Sequence, residues 1–181
     1  MSSIVQRLGY ATVLGGMLLT GILGQRADEY QVKAAFLCNF AKFVEWPRST
    51  FTSPSDPFVI CVLGRNPFGN VLEGLAGGRS VDGHPFAVRY GTDIRQVAGC
   101  QILFVSSSER LRYRSILETL KGSSVLSVGD TGDFITEGGV VDLCVERGKV
   151  RIEIDPQAAR KRNLRVSSHL LALAKVADSR R

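Results

Sequence analysis

Histidine is nearly absent from this chain, and with it much of the usual equipment for catalysis. Of the two histidines, His84 precedes a proline in a loop and His169 opens a helical pattern, and neither stands beside a Ser or Cys in a nucleophile motif. That argues against an exported hydrolase of the triad or Cys–His type. No His or second Cys lies at ligand spacing from any of the four cysteines, which removes the common zinc sites. Asp130 and Asp133 share a glycine-rich turn, but two acids fall short of the six or more oxygens that calcium takes. Glu73, Glu109, Glu118 and Glu153 stand singly and face water in the simplest reading. There is no internal repeat and no low-complexity tract.

An excess of one charge is also missing. The formal charge of +6 is too mild to imply nucleic acid. The basic residues gather mainly at Arg160, Lys161, Arg162 and Arg165, which read as a solvated turn. If that patch is functional, it suits an acidic partner surface better than DNA.

The N-terminus supplies an address. Arg7 precedes the acid-free apolar run Tyr10 to Leu23, in the order of a signal peptide's positive and hydrophobic regions. The run is shorter than the roughly 20 residues a spanning helix prefers, and it is rich in glycine, so a removed signal over Met1–Ala27 is expected. No clean small-x-small frame marks the cleavage site, and an uncleaved membrane anchor is the alternative. Two basic residues, Arg7 and Arg26, leave with the signal, so 17 acids face 21 bases and the mature charge is +4. The remainder, 28–181, is one domain long enough to bury a core.

Asp28 to Pro47, DEYQVKAAFLCNFAKFVEWP, is the most informative stretch. At 100° per residue, Gln31, Cys38, Asn39, Lys42 and Glu45 gather on one narrow stripe. Val32, Phe36, Leu37, Phe40, Phe43 and Val44 cover most of the rest, which predicts a helix buried on several sides, with Asp28 as its N-cap and Pro47 as its stop. Lys33 is the odd residue, projecting into the apolar arc. Either its stem snorkels to water from the first turn, or it pairs with a buried or partner carboxylate. Trp46 at the helix exit is a core plug or an interface anchor. Lys33 and Trp46 are therefore the candidate interface residues.

Strands and helices then alternate. Strand Phe58–Leu63 leads through the turn Gly64-Arg65-Asn66-Pro67-Phe68-Gly69 into a helix near Pro67–Ala76, with Asn66 as cap. Gly77 to Pro85 is a connection, followed by strand Phe86–Tyr90, one or two helical turns at Asp93–Val97, and strand Gln101–Val105. A helix capped by Ser107 or Ser108 runs to about Leu120, and strand Val125–Val128 precedes the turn Gly129 to Asp133. Val140–Val145 and Val150–Ile154 flank Arg147-Gly148 as an antiparallel hairpin. Pro156–Arg162 is a short basic helix. A final helix, His169–Ala177, capped by Ser167 or Ser168, packs through Leu170, Leu171, Leu173, Ala174 and Val176. The expected fold is single-domain α/β: a mostly parallel mixed sheet flanked by helices, with a C-terminal antiparallel hairpin and a closing helix.

Gly64, Arg65, Asn66 and Gly69 follow a strand, so their N–H groups could hold an anion, and strand C-termini in open α/β sheets form ligand crevices. The turn lacks the Lys-Ser/Thr of a P-loop, and turn plus cap accounts for every residue in it.

The blocks VKAAFLCNFAKFVEWP, FVICVLGRNPFG, CQILFVSSS, VLSVGDTGDFITEGGVVDL and RIEIDPQAARKRNLRVSSHLLALAKV together resemble the YfiR family of small periplasmic regulatory proteins. The most specific pieces are the first helix, Gly138-Gly139, the hairpin and Leu164 to Val176. None is a catalytic motif. The resemblance implies a periplasmic, non-enzymatic repressor without a cofactor. Its partner would be the periplasmic domain of a YfiN-type membrane-bound diguanylate cyclase, and a YfiB-type outer-membrane lipoprotein would be able to sequester it. Cyclic-di-GMP synthesis, and with it biofilm behaviour, would follow. A homodimer is compatible with the sequence, and the alternative function is a periplasmic small-molecule-binding sensor.

Four cysteines in an exported chain allow three full pairings. The family pattern places a disulfide at Cys61 and Cys100. Relatives also carry a second bridge near the hairpin, but the positions that should supply it here are Ile135 and Asp142. Cys38 and Cys144 are then free or secondary thiols: accessible, paired with each other, intermolecular, or simply buried and inert.

Overall fold

The computed structural model describes residues 14–177, with side chains from Ala27 onward. The first part of the expected signal, Met1 to Val13, lies outside the described residues. Helix α1 spans Leu14–Phe43, so Asp28 does not cap it. Nothing between Leu14 and Asp28 breaks a helix, since glycine only weakens one and proline is absent. Among the described residues no helix is long and apolar enough to cross a membrane.

The sheet has eight strands: β2 Phe58–Leu63, β3 Ser80–Val81, β4 His84–Gly91, β5 Ile102–Val105, β6 Leu126–Gly129, β7 Val141–Glu146, β8 Lys149–Ile154 and β10 Lys175–Val176. Their order is β10-β8-β7-β6-β5-β2-β4-β3. The five from β4 to β7 are parallel, and β8 returns antiparallel to β7. Counted along the chain, those five run 2-1-3-4-5, the doubly wound order whose switch point lies between β2 and β5. β2 is buried along its whole length, because its side chains alternate between two cores. Phe58, Ile60 and Val62 meet Ala34, Leu37, Phe40 and Leu72 on one face. Val59, Cys61 and Leu63 meet Tyr113, Ile116, Leu117 and Phe134 on the other.

The predicted α/β architecture and hairpin are present, with local differences. Val44–Glu45 leave the first helix as strand β1 and pair antiparallel with β9, Arg165–Val166. The second helix, α2, begins only at Val71 and ends at Ala76. Asn66 instead accepts the Phe68 N–H at 2.8 Å and donates to the Gly69 carbonyl at 3.0 Å, closing a turn of its own rather than a cap. β3 and β4 form a hairpin over Asp82-Gly83, both at positive φ, inside the stretch read as a connection.

Ser106, not Ser107 or Ser108, caps a 3-10 turn over Ser107–Arg112 that leads into α3, Tyr113–Thr119. Helix α4, Pro156–Lys161, is capped by Asp155. The closing helix is short: α5 covers Ser168–Leu173 with Ser167 as cap, and the chain then extends as β10. Leu170 is buried, whereas Leu173 and Val176 are exposed, so the predicted packing face is only partly used. Arg162 is no solvated turn residue. It is buried and donates to the carbonyls of Leu120 at 3.0 Å and Gly138 at 3.5 Å, and burial lowers its pKa.

Phe134, fully buried, lies where Gly129 and Gly139 would carry a Cβ. An added Cβ at either position would sit 2.2 Å from the Phe134 ring. Gly139→Ala and Gly129→Ala should therefore each destabilise the fold by about 1–3 kcal/mol, as overpacking does. The loss should shrink in a Phe134→Leu background, and urea unfolding midpoints of the single and double variants check this.

Candidate functional site

Cys61 sits in mid-β2, opposite Arg89 on β4 and Leu103 on β5. Gln101 pins the start of β5 to β2: its Oε1 accepts the Val59 N–H at 2.6 Å, and its own N–H reaches the Val59 carbonyl at 3.0 Å. This brings Cys100 to Cys61, and both are buried. Cys61 and Cys100 are therefore close enough for each to act on the other's titration. In the reduced pair the neighbouring Cys100 lowers the Cys61 pKa against the effect of burial, with help from the Arg89 charge, while Cys61 and burial raise that of Cys100. When the pair is reduced, Cys61 is its more acidic sulfur.

Cys38 is fully buried, and burial pushes its thiol up, so it is not an accessible thiol. Counting cysteine as polar misplaced the helix stripe, because a free thiol packs as a small apolar group. The buried face of α1 runs through Lys33, Ala34, Leu37, Cys38 and Ala41, while Val32 is 44% exposed. Cys144 is half-buried on β7 opposite Arg151, and burial raises its pKa.

Lys33 does not snorkel and presents nothing to a partner. It is 1% exposed, and its Nζ meets Glu29 Oε1 at 2.5 Å and Asp130 Oδ2 at 3.0 Å. It also lies 4.7 Å from the Tyr30 ring centre, and the Tyr30 hydroxyl donates to the same Asp130 oxygen at 2.8 Å. Asp130 follows β6 directly, so a buried ion pair joins α1 to the C-terminal edge of the parallel sheet. The partner of Lys33 was missed because it stands 97 positions away. Lys33 itself, a charge in an apolar arc, was the available signal. Asp133 pairs with Arg110 at the surface.

The switch point between β2 and β5 is filled. Arg65 N–H donates to Ser108 Oγ at 2.9 Å, and Ser108 with Glu109 occupies the space in front of Gly64. Asn66 and Gly69 are taken up with their own turn. A cleft of about 370 Å³ lies elsewhere, lined by Lys42, Glu45, Trp46, Arg48, Phe51 and His84 among others. Trp46 packs edge-on against Phe58 with ring centres 5.0 Å apart, and its buried indole N–H has no hydrogen-bond partner. A second cleft, of about 400 Å³, lies between Asp28, Glu29 and Val32 of α1 and the hairpin at Val145, Gly148 and Val150.

The model of a protein family described as YfiR/HmsC-like matches residues 30–175. No curated protein matches the chain.

Removing one partner of a buried ion pair leaves the other charge uncompensated. Lys33→Met or Asp130→Asn alone should cost about 3–5 kcal/mol. The double variant should lose clearly less than the sum of the two, and denaturant unfolding of all four chains gives the cycle.

Proposed function

The chain belongs to the YfiR/HmsC-like family, whose members are periplasmic regulators of diguanylate cyclase signalling, and on that premise we propose that it represses a membrane-bound, YfiN-type cyclase by binding the cyclase's periplasmic domain. The observation that carries this reading is the extent of the match. Residues 30–175 take in both cores, the β1–β9 pair and the first residue of the closing strand, so the likeness is to the whole domain rather than to one motif. A YfiB-type lipoprotein is the proposed antagonist that sequesters the repressor. Regulation of this kind needs binding free energy and no reacting group.

Cys61 and Cys100 are the proposed disulfide. Joining them passes two electrons and two protons to a disulfide oxidant of the envelope, which leaves as its dithiol, and closes a loop of about 40 residues. Reduction would loosen the repressor and release the cyclase. A second reading, a small-molecule sensor, is favoured by the cleft beside Trp46. Its unpartnered buried N–H and the flanking Lys42 and Arg48 suit a ligand that carries hydrogen-bond acceptors or negative charge.

Co-purification of the mature chain with its host's membranes should retain a protein bearing a cytoplasmic diguanylate cyclase domain. Retention of none, from membranes that contain one, would shift the weight to the sensor reading. Peptide mapping after alkylation with and without reductant should find Cys61 and Cys100 protected until reduced. Cys61→Ser with Cys100→Ser should cost roughly 4 kcal/mol in the chain-entropy model. Free native thiols, or unchanged folding and partner binding in that variant, would sink the redox coupling.

A further inference from the structure

Asp142 is the most deeply buried acid of the described residues, at 0% exposure, and neither of its carboxylate oxygens has a hydrogen-bond partner. Its register neighbours on β7's two flanks are Gly129 of β6 and Glu153 of β8. Asp130 follows Gly129, and its Oδ1 is likewise buried without a partner. From α3 comes Tyr113, 1% exposed, whose hydroxyl lies near Thr131 without reaching hydrogen-bond geometry and whose pKa is pushed up to about 12 by burial first, against Thr131, and then by the nearby acids Asp130, Asp133 and Asp142. Three unsatisfied polar groups from three elements thus gather in one interior region.

The charges around Asp142 are unbalanced. From α1 come Glu29 and Lys33; after β6 come Asp130 and Asp133; β8 supplies Glu153; and on β7 itself lie Cys144 and Glu146. Lys33 is the buried ammonium of this group, and Glu29 and Asp130 already engage it. Arg110 holds Asp133 at the surface, and Lys175 reaches only Glu153, at 3.5 Å. Arg151 of β8, opposite Cys144 on the same face, is exposed, and among the described residues no cation pairs with Asp142, so its ionised form would add an uncompensated negative charge. Like charges on directly opposed strand positions, such as Asp142 and Glu153, are unfavourable as well.

We propose that Asp142 is a proton-binding site that makes the stability of the fold, and the seating of α1 through Lys33 and Asp130, depend on ambient pH. Burial first, then the charges of Asp130 and Glu153, raise its pKa to about 6, although the backbone N–H groups of Gly132 and Phe134 lie near enough to favour the charge without reaching hydrogen-bond geometry. The sign follows from the raised value. The folded chain holds this proton more tightly than the unfolded chain, so the stabilisation is complete below the unfolded pKa of 3.8 and is lost as pH rises through about 6. Across that window the folding constant falls roughly 100-fold on this group's account. Above it, the ionised carboxylate repels the Asp130 carboxylate that anchors α1 through Lys33.

The test uses the purified chain and needs no partner. Urea unfolding between pH 4 and pH 8 is compared for the wild type, Asp142→Asn and the surface control Glu118→Gln. The control should follow the wild type, whereas Asp142→Asn should lose the fall in stability between about pH 4 and 7 and be the more stable chain at pH 7.5. Amide exchange along α1, corrected for intrinsic rates, should quicken above pH 6 in the wild type and not in Asp142→Asn. Carbon-13 NMR of the wild-type carboxyls should show Asp142 titrating near pH 6, a readout that stands even if the variant fails to fold. Parallel pH profiles for wild type and Asp142→Asn, or an Asp142 carboxyl titrating near pH 4, would overturn the proposal.

Discussion

One buried ammonium organises the helix side of this molecule. Lys33 reaches from α1 to Asp130 at the end of β6, and the remainder of the packing follows from where that contact fixes the helix. With α1 seated there, Ala34, Leu37 and Phe40 close the core over β2, β5 and β6, and Tyr30 meets Phe68 edge-on at 5.5 Å. Further along, α1 delivers Val44 and Glu45 to β9, where Glu45 pairs with Arg165. A buried charge is a poor source of net stability, because desolvation offsets much of the attraction. Its value is register: an apolar helix face can slide on an apolar sheet, whereas an ammonium must find its carboxylate.

The loop that carries Asp130 is held just as firmly from the other side. Phe134 fills the space left by two glycines and meets Tyr113 at 4.9 Å. Helix α1 on one face and α3 on the other therefore converge on a single short segment between β6 and β7. Asp142 lies beside that segment. The family likeness in Gly138-Gly139 acquires a physical reason here, since Gly139 must leave room for the Phe134 ring and Gly138 adopts a φ of 101°.

Much of this was legible in the sequence because the elements concerned are long or strongly punctuated. β2, β5 and the Arg147-Gly148 hairpin announce themselves through apolar runs and a turn with the right residues. β1, β3, β9 and β10 do not, because two residues carry no period and their pairing is decided by distant partners. Asp82-Gly83 has the same turn chemistry as Arg147-Gly148, but one of its flanking strands is too short to frame it. At the candidate site, Lys33 stood out as a charge in an apolar arc, whereas Asp142 entered the sequence reading only as a position where relatives carry a cysteine. Their grouping with Asp130 was invisible, since only the sheet order brings α1, β6 and β7 together. The anticipated crevice at Gly64 to Gly69 sits at the correct switch point, yet Ser108 and Glu109 fill the space before Gly64, and no pattern in the sequence marked them for that task.

The central claim, that a buried Lys33–Asp130 pair seats α1, is tested most directly by NMR of the nitrogen-15-labelled lysine ammonium groups at neutral pH. Exposed ammonium protons exchange with water too quickly to be seen, whereas a buried, paired one persists. The expected result is one sharp, slowly exchanging lysine signal that disappears in Asp130→Asn. A spectrum without such a signal, or one in which the signal is unchanged by that substitution, would contradict it.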